Sequence, residues 1–146
     1  MTNNTQKILI VDNDDAQRNA VAEQIEIIEG HVAIQASTGE QTLRLVKDQH
    51  PELMLLDVDL PDIDGRDLCR LLRRQGMKTP IITLGRDNGD AEVILSLNNG
   101  ASDYVTKPFH VGVLLARMRA HRRQFEQSTP PPSRSGPMPF MPAPDS

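Results

Sequence analysis

The sequence predicts an α/β protein built on a five-stranded, doubly wound parallel sheet. Short apolar runs alternate five times with stretches of helical periodicity along the chain. The central run, residues 53–57, is apolar at four consecutive positions, as expected for a strand that is buried on both faces. This alternation implies right-handed strand–helix–strand crossovers and helices on both faces of the sheet.

Each predicted element is defined by its periodicity and by a start or stop residue. Val21, Ile25 and Ile28 recur at helical spacing and predict the buried face of the first helix. Gly30 and Gly100 predict the ends of the first and fourth helices. The predicted strands cover residues 7–11, 31–36, 53–57, 80–84 and 104–107, and the predicted helices cover residues 15–29, 38–49, 65–74, 90–99 and 111–127.

Composition and charge exclude several classes of protein. The net charge of −4 argues against nucleic-acid binding by this chain. The single cysteine cannot form an internal disulfide. No apolar run approaches the roughly 20 residues of a membrane span, so a cytoplasmic protein is expected. Seven of the eleven prolines lie from residue 128 onward. This predicts a folded domain over residues 1–127 and a disordered, proline-rich tail over residues 128–146.

Polar residues follow the carboxyl ends of three predicted strands. Asp12 and Asn13 follow the first strand, Asp57 ends the third strand with Asp59 two residues beyond it, and Lys107 ends the fifth strand. The first and third strands flank the switch point of such a sheet, where ligands bind. Clustered carboxylates favour a cation, and Mg²⁺ prefers oxygen ligands. A carboxylate beside Mg²⁺ and an ammonium group can attack phosphorus, so the pattern predicts a phosphoacceptor at Asp57.

Four motifs resemble those of a bacterial response-regulator receiver domain, with its flavodoxin-like (βα)5 fold. They are ILIVDND, LLDVDLPDIDG, NNGASDYVTKPF and LLARMRAHRRQ, and the last two resemble the OmpR/PhoB-type subfamily. The resemblance implies that Asp57 accepts the phosphoryl group, that Asp12 helps to position Mg²⁺ and that Lys107 contacts the phosphoryl group. It also implies a metal ligand from the backbone carbonyl of Asp59 and a cis peptide bond before Pro108.

The resemblance further implies a function in two-component signal transduction. The partner would be a sensor histidine kinase or a phosphotransfer protein, and the signal would leave through the fourth helix, fifth strand and fifth helix. The chain would not be an enzyme beyond self-catalysed phosphotransfer and dephosphorylation. An OmpR/PhoB-type chain normally continues into a winged-helix DNA-binding domain, where the proline-rich tail stands here.

Two substitutions depart from the family pattern. Asn13 stands where a second acidic metal ligand is expected, and an amide is a neutral ligand. Gly85 stands where a Thr or Ser should bind the phosphoryl group and couple to Tyr104, so the switch hydroxyl is missing. Arg86 follows in place of a small residue, either as a solvated loop residue or as a phosphate contact. These departures favour an alternative function as a degenerate, phosphorylation-independent interaction module.

A phosphohydrolase is a third hypothesis, since an Asp-x-Asp sequence at Asp57 also suits an acyl-phosphate enzyme. The expected dimer face is altered as well: Val93 and Val113 stand where the subfamily carries charge-pair partners, although Asp103 can pair with Arg117 or Arg122. A homodimer and a solvated basic face both remain open. Cys69 is predicted in or near the core. The histidines show no partner spacing and are predicted at the surface: His31, His50, His110 and His121.

Overall fold

The computed structural model describes residues 5–128. Its centre is a five-stranded parallel sheet with the strand order β2-β1-β3-β4-β5. This order confirms the predicted doubly wound α/β class. The strands are β1 (Lys7–Val11), β2 (Val32–Ala36), β3 (Leu53–Asp57), β4 (Ile81–Gly85) and β5 (Asp103–Thr106).

Five helices connect and follow the strands, as predicted. They are α1 (Asp15–Gln24), which continues as a π-helical segment (Ile25–Glu29), α2 (Gly39–Gln49), α3 (Gly65–Arg74), α4 (Asp90–Asn98) and α5 (Val111–Ser128). Side chains cap three of them by accepting a hydrogen bond from a backbone N–H. Asp14 accepts from Gln17 at α1, Thr38 from Gln41 at α2, and Asp64 from Arg66 at α3.

The sheet separates two apolar layers because successive side chains of a strand point to opposite faces. Ile8, Ile10 and Leu55 pack with α1 and α5, whereas Leu9 and Leu56 pack with α2 and α3. All five residues of β3 and of β4 are buried. Burying each large aliphatic side chain contributes about 1.5–3 kcal/mol, so the central strands are firmly fixed.

The first helix differs from the prediction at its carboxyl end. Val21 and Ile25 are buried, but Ile28 is 57% exposed, so its predicted place on the buried face was wrong. Residues 25–29 form a π-helical segment, in which residue i bonds to residue i+5. The wider turn rotates Ile28 away from the line of Val21 and Ile25. Gly30 ends the segment with a φ of 72°, which glycine adopts readily.

His31 is buried rather than exposed, which contradicts the surface prediction for this histidine. It lies just before the edge strand β2, and its Nδ1 accepts a hydrogen bond of 3.0 Å from the Gln6 backbone N–H. Burial, and secondarily the positive charge of Arg122, lower the pKa of His31. The ring therefore serves as a neutral acceptor that ties the amino-terminal segment to the sheet.

Smaller differences concern element boundaries. Gly85, predicted in a loop, is the last residue of β4, and α5 extends to Ser128, one residue into the predicted tail. Residues 129–146 of that tail lie outside the described residues. Within residues 5–128, no helix combines the length and the apolar character that crossing a membrane requires.

Two arginines on α3 hold the neighbouring helix α4. Arg66 pairs with Asp64 and with Glu92, which lies in the first turn of α4. Arg73 donates a hydrogen bond of 2.9 Å to the carbonyl of Gly100, just beyond the other end of α4. α3 therefore contacts the first turn of α4 and the turn that follows its carboxyl end.

Candidate functional site

The topology brings the predicted site residues to one edge of the sheet. β1 and β3 are neighbours, so Asp12, which follows β1, lies beside Asp57, the last residue of β3. Both are nearly inaccessible, with exposed fractions of 2% and 4%. The Lys107 Nζ reaches both carboxylates, at 2.6 Å from Asp57 Oδ2 and 3.2 Å from Asp12 Oδ2. The Lys107-Pro108 peptide bond is cis.

Asp57 is a carboxylate in an unfavourable solvation environment. Burial raises the pKa of Asp57 to about 6, although hydrogen bonds from Lys107 and from the Asp59 amide oppose the shift, and the neighbouring Asp12 adds to it. The pKa of Lys107 is raised by its bonds to Asp57 and Asp12, even though burial acts in the opposite direction. At neutral pH the site therefore holds an ionised, poorly solvated carboxylate beside a charged ammonium.

The turn after β1 fixes the orientation of Asp12. Asp12 Oδ1 accepts a hydrogen bond of 2.9 Å from the Asp14 amide, and Asp14 in turn caps α1. Asn13 lies between them with an exposed side chain. The Asp59 side chain is also exposed, and its backbone N–H donates to Asp57 Oδ1 at 2.9 Å.

The residues present fit a hard divalent cation. The carboxylates of Asp12 and Asp57 already converge on one cation, the Lys107 ammonium, and they are the oxygen ligands that Mg²⁺ prefers. In the described part of the chain, acidic, histidine and cysteine side chains do not gather in groups of three for a metal ion. A further protein ligand would therefore be an amide or carbonyl oxygen, such as those of Asn13 and Asp59.

Tyr104 fills the space beside Gly85. A Cβ atom on Gly85 would lie 2.5 Å from the Tyr104 hydroxyl oxygen and 3.1 Å from two ring carbons. Tyr104 is only 7% exposed, and its hydroxyl donates a hydrogen bond to the carbonyl of Asp87. Thr83 does not replace the missing hydroxyl, because its own hydroxyl bonds the Asp103 carbonyl. The sequence signals this arrangement only through the glycine itself.

The predicted dimer-face residues lie on α4, β5 and α5. Val113 is 49% exposed and Val93 is partly buried. Asp103 pairs within the chain with Arg117, at 2.9 Å, and with His121, at 3.0 Å. These bonds lower the pKa of Asp103 although burial opposes them. The second predicted partner, Arg122, has no ion pair with Asp103 among the described residues, and α4 exposes further apolar side chains: Ile94, Leu95 and Leu97.

A buried aspartate at the switch point of a (βα)5 sheet, with a second acid and a lysine beside it, defines a class of phosphoacceptor domains. Residues 8–119 match the response regulator receiver domain family, and the chain belongs to that family. Receiver domains of this family generally bind Mg²⁺.

Relatives narrow the similarity to OmpR/PhoB-type regulators. The chain is 42% identical over 122 residues to the transcriptional regulatory protein AfsQ1 of Streptomyces coelicolor, with 84% of this chain and 53% of that protein covered. It is 36% identical over 124 residues to the alkaline phosphatase synthesis transcriptional regulatory protein PhoP of Bacillus subtilis, with 85% and 51% covered. The chain thus spans about half the length of the curated relatives it matches.

Solved structures agree with this assignment. The BeF3-activated receiver domain of Klebsiella pneumoniae RstA is 37% identical, with a TM-score of 0.76, and the match covers 81% of this chain and 99% of that domain. A two-component response regulator from Clostridium difficile is 28% identical, with a TM-score of 0.78 and coverage of 83% and 98%.

Proposed function

We propose that this receiver domain accepts a phosphoryl group on Asp57. One carboxylate oxygen attacks phosphorus, the bond from phosphorus to the donor breaks, and the donor leaves with the electron pair. The product is an acyl phosphate, and attack of water on phosphorus returns the carboxylate and inorganic phosphate. The observation that carries the proposal is the buried Asp57 carboxylate, held 2.6 Å from Lys107 beside Asp12.

Mg²⁺ would be held by Asp12, Asn13, Asp57 and the backbone carbonyl of Asp59, and it would neutralise charge on the transferring oxygens. Asn13 supplies a neutral oxygen in place of a carboxylate, so the affinity for the metal is lower than with an acid at that position. Lys107 orients Asp57 through one short hydrogen bond and offsets part of the charge that the phosphoryl group adds.

The signal would leave through the face formed by α4, β5 and α5, with an atypical switch. Position 85 has no hydroxyl to bind a phosphoryl group, and Tyr104 is already buried against Gly85. Phosphorylation can shift a conformational equilibrium only by its differential affinity for the two states. With that contact absent, we expect a small shift.

The same observation favours a second function, a degenerate interaction module that binds its partner without phosphorylation. Tyr104 occupies its inward position through a hydrogen bond to Asp87, with no phosphoryl group required. In this case the affinity for the partner would not depend on the chemistry at Asp57.

One experiment separates the two functions. The protein is incubated with Mg²⁺ and acetyl phosphate, and the phosphoryl adduct is measured by mass spectrometry in the unmodified chain, in Asp57→Ala and in Asp59→Asn. We expect an adduct that Asp57→Ala abolishes and Asp59→Asn retains. Absence of an adduct at saturating Mg²⁺ and donor would favour the degenerate module. An adduct that leaves partner affinity unchanged would refute the switching proposal alone.

The proposed partners are a sensor histidine kinase or a phosphotransfer protein, and a second copy of this chain. Val113 is one of the exposed apolar residues of the altered dimer face, so Val113→Asp should weaken self-association measured by sedimentation. The control is Arg44→Ala, a substitution at an exposed position of α2 on the opposite face, which should leave self-association unchanged. Contact with DNA is not proposed for this chain, because the basic residues of α5 lack a recognition element.

A further inference from the structure

We propose that Arg86 binds the phosphoryl group on Asp57 in place of the missing hydroxyl side chain, an inference that rests on the proposed function. Arg86 is the first residue after β4, directly beyond Gly85. Its neighbour in the site is Lys107, whose backbone N–H donates a hydrogen bond of 2.7 Å to the Gly85 carbonyl. The Arg86 side chain thus starts two residues beyond Leu84, the strand partner of Asp57.

Two small cavities flank this position, and Arg86 lines both of them. One, of about 170 Å³, is lined by Arg86 together with Asp14, Lys107 and Pro108. The other, of about 160 Å³, is lined by Arg86 together with Asp59 and Tyr104. Either cavity has room for a few water molecules, which a phosphoryl group and its oxygens can displace. Arg86 is shared by the two cavities, and one of them is also lined by Lys107, the residue whose ammonium is bonded to Asp57.

Within residues 5–128, Arg86 differs from Arg18 and Arg66 in having no hydrogen-bond or ion-pair partner. Arg18 donates to the Asp12 carbonyl and pairs with Asp15, and Arg66 pairs with Asp64 and Glu92. Across residues 5–128, the exposed Arg86 side chain makes neither a hydrogen bond nor an ion pair. Its donors are therefore available for a ligand without breaking an existing contact.

Charge at the site favours the same residue. The phosphorylated side chain carries up to about −2 charge at neutral pH, compared with about −1 for the free carboxylate, and Lys107 already pairs with two carboxylates. The hydroxyls of Tyr104 and Thr83 are already engaged, since the first bonds the Asp87 carbonyl and the second bonds the Asp103 carbonyl. A guanidinium can offer two parallel donors to phosphate oxygens, which a single hydroxyl cannot.

The test compares Arg86→Ala and Arg86→Lys with Arg44→Ala, which removes the same charge from an exposed position on α2. The rate of Asp57 phosphorylation by acetyl phosphate and the lifetime of the adduct are measured at fixed Mg²⁺. We expect Arg86→Ala to slow phosphorylation about tenfold or more, as for loss of at least one hydrogen bond to a charged group. Arg86→Lys should retain an intermediate rate, because lysine keeps the positive charge but lacks the two parallel N–H donors of a guanidinium. Arg44→Ala should match the unmodified chain.

Beryllofluoride binding provides a non-covalent readout of the same contact. The affinity should fall in Arg86→Ala with no change in the denaturant midpoint, since an exposed side chain contributes little to stability. If the unmodified chain forms no adduct and binds no beryllofluoride, the proposed function fails and the role of Arg86 fails with it. If the unmodified chain reacts and Arg86→Ala reacts and binds equally well, the inference about Arg86 alone is refuted.

Discussion

Substitution of Gly85 by alanine tests whether Tyr104 is held inward by the absence of a side chain at the end of β4. The new Cβ would lie 2.5 Å from the Tyr104 hydroxyl oxygen, well inside the separation of about 3.5–4.0 Å at which non-bonded carbon atoms attract. The nearest atom is the tip of a side chain rather than backbone. We therefore expect the ring to swing outward while the strand stays in place.

The cost of this movement follows from two contributions. Loss of the hydrogen bond to the Asp87 carbonyl removes about 1 kcal/mol. A buried tyrosine covers about 150–250 Å², and exposing half of this at about 25 cal/mol/Å² costs about 2–3 kcal/mol. Gly85→Ala should thus lower the free energy of unfolding by roughly 3–4 kcal/mol, or less if the ring finds a new apolar contact.

The protein carries its own probe for this rearrangement, since Tyr104 is its one tyrosine and there is no tryptophan. Acrylamide quenching of tyrosine fluorescence should increase in Gly85→Ala, and urea unfolding followed by circular dichroism should show the loss of stability. Gly112→Ala, at an exposed position of α5, is the matched control and should leave the quenching unchanged.

A double-mutant cycle with Tyr104→Phe identifies the contact itself. Phenylalanine lacks the hydroxyl, the atom nearest to the new Cβ, so Gly85→Ala should cost about 1 kcal/mol less in that background. Unchanged quenching in Gly85→Ala, or equal stability losses in both backgrounds, would show that Tyr104 is not held by the space beside Gly85.

Three further predictions concern buried or metal-binding groups. The pKa of Asp57, about 6 in the folded chain against 3.8 unfolded, makes the folded state bind more protons between these values. The contribution of Asp57 to the free energy of unfolding therefore falls as the pH rises from about 4 to about 6. In urea unfolding without divalent cations, Asp57→Asn should flatten the dependence of this free energy on pH, and an unchanged slope would refute the prediction. Asn13→Asp should raise the Mg²⁺ affinity about tenfold or more in calorimetric titration, because it adds a charged ligand. Equal affinities in Asn13→Asp and Asn13→Ala would show that residue 13 is not a ligand of the metal. The buried thiol of Cys69, whose pKa burial raises, should react with a thiol reagent only on unfolding, and rapid reaction of the folded chain would contradict its placement.

Sequence periodicity was sufficient to predict the order of strands and helices, because each element buries a face whose spacing is visible along the chain. The convergence of Asp12, Asp57 and Lys107 was also accessible, since the carboxyl ends of parallel strands share one edge of a sheet. Both inferences depend on regular geometry that the residue pattern reports directly.

Features that depend on packing between distant residues were not accessible. The buried His31 lies against the amino-terminal segment, where the backbone N–H of Gln6, 25 residues away in sequence, donates a hydrogen bond to its ring. Exposure of Ile28 follows from a shift to π-helical hydrogen bonding, which has no separate residue pattern here. Gly85 and Tyr104 lie on neighbouring strands that are separated in sequence by a loop and α4. The glycine therefore indicated that a hydroxyl is missing, but it did not indicate that the Tyr104 ring fills the space beside it.

The two arginines of α3 restrict how α4 can move. Arg66 and Arg73 are seven residues apart, about two helical turns, so they project from the same side of α3. One holds the first turn of α4 and the other holds the carbonyl of Gly100 beyond its last turn. Rotation of α4 about its own axis, which would turn the exposed Ile94, Leu95 or Leu97 away from solvent, would also displace Glu92 from Arg66. Swinging away from α3 as a rigid arm would require breaking one of the two arginine contacts.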